Sequence, residues 1–225
     1  MDKRRLLVFG LFLSFPFVAQ AASPAGAAPA ASPSHAETRL GFSLGASAGV
    51  GGEADLTLDH FAGGLPVAAR VAVGYRRTDA GKPLEARHVF INANENGDPL
   101  ESGHRWDMRL DAVWYPGWMR QLWLYGGPRY SRFTATFDFI GGNEFFDVTS
   151  NQWGVGIGAE GRFPMSTRTS FVVGAGLDHY WDSTLAGHDT AYNPDGTSVS
   201  AVDDYTYADA DAAINQPQWA PRVTV

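Results

Sequence analysis

The segment RWDMRLDAVWYP, residues 105–116, alternates with period two. Trp106, Met108, Leu110, Ala112 and Trp114 fall on one side, and Arg105, Asp107, Arg109 and Asp111 on the other. That alternation predicts a β-strand with one apolar face and one ionic face. The rhythm recurs from Leu40 onward. Leu40, Phe42, Leu44, Ala46 and Ala48 alternate with small residues, and Ala54, Leu56 and Leu58 alternate with Glu53, Asp55, Thr57 and Asp59. Val67, Ala69, Val71, Val73 and Tyr75 alternate with a set containing Arg70 and Arg76. A Gly-rich stretch over 124–130 carries Arg129. Trp153, Val155 and Ile157 then alternate with a set containing Gln152, Glu160 and Arg162. Phe171 to Trp181 encloses Asp178, and 218–225 places Trp219, Val223 and Val225 on one side.

These are eight predicted strands, most of the roughly nine to eleven residues that a tilted strand needs to cross a bilayer. No helical period of length follows residue 21. The connections fall into two kinds. Those at 49–52, 61–66, 117–121 and 164–169 are short, and those at 80–104, 140–151 and 182–217 are long. Apart from the tight first turn, short and long connections sort to opposite ends of the strands. Short turns on one side and long loops on the other are the asymmetry of an outer-membrane barrel.

The N-terminus adds a compartment. MDKRR, an apolar run LLVFGLFLSFPFVA and Ala19-Gln20-Ala21 have the order of a cleaved export signal over 1–21. Residues 22–39, rich in Ala, Pro and Ser, read as a disordered periplasmic leader, which leaves 40–225 for the folded domain. The chain has no cysteine, so disulfides and thiolate metal sites are excluded. Its formal charge is −7; cleavage after Ala21 removes three cations and one anion and leaves −9. With no basic patch against that charge, nucleic acid is not an expected partner.

Composition also bears on what each strand face meets. In a soluble sandwich the polar face meets water. In a small membrane barrel the apolar face meets lipid and the ionic face fills the interior. The ionic set here is Glu53, Asp55, Asp59, Asp107, Asp111, Glu160 and Asp178 against Arg70, Arg76, Arg105, Arg109, Arg129 and Arg162. After the signal the only lysine is Lys82, in a loop. Arginine suits buried bidentate pairing, so these thirteen residues are the expected internal charge network. Trp106, Trp114, Tyr115, Trp118, Trp123, Tyr125, Trp153, Tyr180 and Trp181 lie toward strand ends and are the expected interface aromatics, with Phe133, Phe137, Phe139, Phe145 and Phe146 on the loop side. The predicted fold class is an all-β, eight-stranded antiparallel transmembrane up-and-down β-barrel.

The segments LYGGPRYSRF and WGVGIGAEGRF, with this strand rhythm and loop asymmetry, resemble the small eight-stranded outer-membrane barrels, the OmpA-like and OmpW-like group. The likeness covers 40–225. It implies a monomer in the outer membrane of a Gram-negative-type cell, in contact with lipid and lipopolysaccharide and inserted by the barrel assembly machinery. Members of that group usually end on an aromatic residue, whereas this chain ends PRVTV.

Motifs for chemistry are sparse. His179 lies four residues before Ser183 without forming a recognisable nucleophile arrangement, and neither GxSxG nor a paired-histidine metal motif occurs. The loop 182–217 carries Asp182, Asp189, Asp195, Asp203, Asp204, Asp209 and Asp211 and no Lys or Arg. Carboxylates suit hard cations, so Asp203, Asp204, Asp209 and Asp211 are the weak metal candidates and this loop the candidate surface for cations or surface ligands. No defined calcium-loop spacing is present, and a solvated acidic loop is the plainer reading. No metal and no cofactor is expected. The expected role is non-enzymatic, structural or surface-binding. The alternative implied by the OmpW likeness is a narrow path for small, apolar solutes, and the remote one is a lipid-modifying hydrolase.

Overall fold

The computed structural model describes residues 37–59, 66–119, 121–202 and 205–225. The signal over 1–21, most of the leader, and Asp203 and Asp204 lie outside the described residues. Seven long strands come first: β1 (Glu37–Ser47), β2 (Val50–Asp59), β3 (Val67–Thr78), β4 (Asp98–Trp114), β5 (Leu122–Ile140), β6 (Glu144–Pro164) and β7 (Ser170–Tyr180). Three two-residue strands follow, β8 (Leu185–Ala186), β9 (Ala191–Tyr192) and β10 (Ser198–Val199), and β11 (Trp219–Thr224) ends the sheet. Each long strand pairs antiparallel with its predecessor from β1 to β7. β11 pairs with β7 on one side and β1 on the other. The eight strands β1–β7 and β11 therefore close into a ring. The closing seam is short: Ser47, Ala46 and Gly45 face Arg222, Val223 and Thr224, and Leu44 and Val225 exchange both backbone hydrogen bonds, at 2.8 and 2.9 Å.

The alternation in β4 has a physical sense opposite to that of a soluble protein. Trp106, Met108 and Leu110 are 48%, 52% and 51% exposed on the outside of the ring, whereas Arg105, Asp107 and Asp111 are buried inside it. The outer faces of the other strands follow suit, with Phe42, Leu44, Val71, Ile157 and Val223 all exposed. Eight strands leave an interior just wide enough for side chains, and the charged residues fill it.

Several elements differ from the sequence expectation. β1 starts at Glu37, inside the expected leader, because Glu37, Thr38 and Arg39 continue the ladder with Asp59, Leu58 and Thr57. The expected loop 140–151 is largely strand, and 80–104 ends in strand after a helix. β4 begins at Asp98, and β5 and β6 are joined by the turn 141–143, where Gly141 and Asn143 take positive φ. Phe146, Val148 and Ser150 extend the inward alternation of β6 past the predicted strand start. Two helices also appear where none was expected, α1 (Pro83–Phe90) and α2 (Tyr207–Ala213). At two turns each they are too short to show a period. Their ends carry start signals instead: proline in the first turn of α1, and a reciprocal Thr206–Asp209 capping box on α2.

These helices belong to a second core at the loop end of the ring. Phe133, Phe137, Phe139, Phe146 and Val148 of the long β5–β6 hairpin pack with Phe90, Val89, Leu185, Tyr192, Ala210 and Ile214. Backbone bonds stitch the loops together: Lys82 N–H donates to Ala213 at 2.8 Å and Asn215 N–H to Ala80 at 3.1 Å. The Tyr192 hydroxyl donates to the Val89 carbonyl at 2.8 Å. Arg87, fully buried, forms an ion pair with Glu144 at the hairpin tip, donates to the Asn96 carbonyl at 2.7 Å and stacks over Phe139.

The Arg87 guanidinium, aided by the Asn92 amide, holds the Glu144 carboxyl below the ordinary carboxylate range against the opposing effect of its partial burial. A depressed folded value means that the stabilisation is complete above the unfolded carboxylate pKa of about 4.3 and lost as pH falls through the lower folded value. Hydrogen exchange in α1 is therefore expected to stay flat from neutral pH down to about the ordinary carboxylate range, after correction for intrinsic exchange, and to accelerate below it. Glu144→Gln is expected to weaken α1 protection at neutral pH and flatten the acid step. An unchanged acid step in that variant would contradict this assignment.

Candidate functional site

The site is the charged interior. All thirteen residues of the expected network sit on the inner face of the ring, where Asp55 and Arg162 are half-buried and the other eleven buried. Two further arginines join them, Arg222 of β11 and, at the short-turn rim, Arg39 of β1, giving eight arginines against the seven carboxylates, and each carboxylate contacts an arginine. The interior glycines of β6 make this possible. A Cβ at Gly156 would overlap the Asp178 carboxylate and the Arg129 guanidinium.

Several of the pairs reach between non-neighbouring strands. Arg70 of β3 forks onto Glu160 of β6, with both terminal nitrogens 2.8 Å from carboxylate oxygens. Such bidentate geometry is among the stronger polar contacts available. Arg129 of β5 lies 2.7 Å from Asp111 of β4 and 2.7 Å from Asp178 of β7. Arg222 meets the other oxygen of Asp178 at 2.9 Å. Arg109 of β4 pairs with Glu53 of β2 and lies 3.3 Å from Asp111. At the short-turn end Arg39 meets Asp59 at 2.8 Å, and Tyr115 hydrogen-bonds the same carboxylate. Arg162 meets Glu160 at 2.8 Å and lies over the Trp123 ring, 3.3 Å from its centroid.

The interface aromatics divide into two groups. Trp106, Trp114, Trp118, Trp153 and Trp181 are exposed, all but Trp118 on the outer face of the strands or directly after one. Tyr75 and Tyr130 pack against Trp106 and Trp153 with their rings inclined at 60°, and His179 contacts the rings of Trp181 and Trp219. Tyr115, Trp123, Tyr125 and Tyr180 instead point inward, which corrects the expectation for those four. Tyr125 sits at the centre of the network, with the guanidiniums of Arg70, Arg109 and Arg222 each about 5.5 Å from its ring centroid. Strand parity carried the signal. Tyr125 is four residues from inward Arg129, Tyr180 two from Asp178 and Tyr115 four from Asp111. The loop-side girdle is corrected likewise: Phe133, Phe137, Phe139 and Phe146 build the inner core, and Phe145 is exposed.

Two of the metal candidates have local partners. Asp209 accepts from the Thr206 backbone and hydroxyl, and Asp211 accepts from Gln216 and Gln218. Among the described residues no group of three or more histidine, aspartate or glutamate side chains is placed to hold a metal ion.

No family model matches the chain, and no curated protein matches it. Among solved structures it is similar to the crystal structure of a major outer membrane protein from Thermus thermophilus, with a TM-score of 0.66 and 23% identity, over 84% of this chain and 97% of that one. The class defined by fold and site is thus an all-β protein with a closed antiparallel ring and an ion-paired interior, a fold it shares with that outer membrane protein.

Removing one member of a buried pair strands its partner at about 3–5 kcal/mol. Glu160→Gln, which leaves Arg70 and Arg162 facing a neutral amide, is expected to lose stability of that order in denaturant unfolding. The double variant Arg70→Met with Glu160→Leu is expected to lose markedly less than the two single changes together. Simple additivity would show that the two residues are not coupled.

Proposed function

We propose that this chain is an integral outer-membrane protein, an eight-stranded antiparallel transmembrane β-barrel of the OmpA-like and OmpW-like size class, whose role is structural and surface-binding rather than enzymatic. The observation that carries the reading is the polarity of the ring, apolar outside and ionic inside. A closed sheet is one of the two backbone forms that satisfy their own hydrogen bonds in lipid. An exposed apolar surface running around it would be an aggregation liability in water. The similarity to an outer membrane protein of known structure supports the same placement.

The non-enzymatic role is supported by the carboxylates themselves. Each buried one among the described residues lies against an arginine rather than standing free as an acid or base. The filled interior and the apolar cap at the loop end favour a stabilising wall over a path for solutes. In this reading the outer face meets lipid, the aromatic belt meets the headgroup region including lipopolysaccharide, the barrel assembly machinery inserts the chain, and a single copy suffices. The loop end, with its acidic segment, is the surface offered to cations or other surfaces.

Expressed as residues 1–225, the protein is expected in the outer-membrane fraction, with a gel mobility that differs between boiled and unboiled samples. Purified into liposomes, it is expected to leave small-solute flux at background. Soluble periplasmic protein with no mobility difference would overturn the membrane reading. Solute flux well above background would replace the structural role by the transport one.

A further inference from the structure

The charged interior resolves into three layers by contact. Nearest the short-turn end, Arg39, Arg70 and Arg162 balance Asp55, Asp59 and Glu160, with Glu37 beside Arg39 at the exposed rim. In the middle, Arg109, Arg129 and Arg222 balance Glu53, Asp111 and Asp178. The layer nearest the loops is not balanced. It holds Arg76 and Arg105 against one carboxylate of its own, Asp107, with Glu53 of the middle layer shared between Arg109 and Arg76.

The two arginines are direct register partners across β3 and β4, and both are buried. They lean on one carboxylate. Arg105 Nε is 2.8 Å from Asp107 Oδ1 and Arg76 Nη1 is 3.5 Å from Oδ2, while the Tyr180 hydroxyl also reaches Oδ1, at 3.5 Å. The other acid near Arg76 is Glu53, whose Oε2 lies 3.7 Å away while its Oε1 is engaged by Arg109. Arg76 Nε and Nη1 and Arg105 Nη1 have no hydrogen-bond partner among the described residues. The same is true of the hydroxyl of Ser131, which is fully buried and is the register partner of Asp107.

Two guanidiniums sharing one carboxylate inside a narrow ring repel each other with little water to screen them. Unpaired buried donors add their own desolvation cost. Both penalties are relieved by one negative charge placed between the two arginines. We propose that this layer is a binding site for a single small monovalent anion of halide size, held by Arg76 and Arg105 with the Ser131 hydroxyl as a further donor. The single excess positive charge sets the valence, since a divalent anion would reverse the imbalance it relieves. A groove of about 490 Å³ lies at the loop-side mouth, next to this layer. Its lining includes Ala48, Gly49, Thr78, Asp79 and Gln216, and Ala48 and Gly49 directly follow Ser47, whose carbonyl accepts from Arg105 at 2.8 Å. The site is independent of whether the outer face meets lipid or detergent.

The test uses the purified, folded full chain. Its unfolding midpoint is measured in sodium chloride and in sodium gluconate at equal ionic strength, gluconate being too large for the site. Chloride is expected to raise the midpoint, with an onset set by the dissociation constant. Above that constant, each tenfold rise in chloride should raise the folded-to-unfolded ratio about tenfold. Arg76→Gln, which removes the excess charge, is expected to abolish the chloride dependence. Equal midpoints of the native chain in the two salts would overturn the proposal, as would a full chloride effect in Arg76→Gln. Should that variant not fold, crystals of the native chain grown in sodium bromide decide. An anomalous peak between Arg76 and Arg105 supports the site, and its absence there refutes it.

Discussion

The pairing of buried charge across strands is the constraint on which the rest of this structure depends. An eight-stranded ring leaves its interior no room for bulk water, so an inward arginine must find a carboxylate or a π-face from another strand. Arg70 with Glu160, Arg129 with Asp111 and Asp178, and Arg222 with Asp178 tie the wall together from inside, in the pairs Arg70–Glu160 and Arg129–Asp178 between strands that do not hydrogen-bond to each other. A slip of one residue in any strand would carry its arginines to the apolar outer face. The network therefore acts chiefly on register. Its net contribution to stability is modest, because desolvation offsets much of the Coulomb gain.

Volume is the second constraint, and glycine and tyrosine meet it together. The inner face of β6 is stripped of side chains at Gly154, Gly156 and Gly158, which leaves space for the Arg129 guanidinium and the Tyr125 ring. Tyr125 in turn supplies a π-face to three arginines at that level. Toward the loop end the composition of the same inner face changes from charge to phenylalanine. The ring there closes over α1, α2 and the short strands with an ordinary apolar core. The interior thus passes from an aromatic cluster through ion pairs to a greasy cap, all within one continuous sheet.

Much of the ring was legible from the alternation of single residues. Period two in β4 was unbroken, and a charge on every other position identified the ionic face. What was missed shares one cause: aromatic residues are compatible with either face, so their position near a strand end said less than their parity. Tyr125, Tyr180 and Tyr115 follow the parity of Arg129, Asp178 and Asp111, and Arg222 follows that of inward Ala220. The loops were misjudged for a different reason. Residues 98–104 and 144–151 mix Gly, Ser, Asn and Asp into the alternation and read as coil, yet pairing with β5 holds them in strand. The two helices owe their existence to packing over two turns, with an initial proline on α1 and a capping box on α2, none of which periodicity reveals.

The most direct measurement is collision accessibility of spin labels along β4, for which the absence of native cysteine makes single replacements unambiguous. Labels placed at 106, 108, 110 and 112 in lipid-reconstituted protein, with Ser131→Cys as the interior reference, are compared for collision with oxygen and with a water-soluble nickel complex. If the outer face meets lipid, the four β4 labels collide with oxygen far more than with nickel, and the interior label collides little with either. Nickel collisions at Met108 and Leu110 as frequent as those at an exposed loop position would place that face in water and contradict the reading.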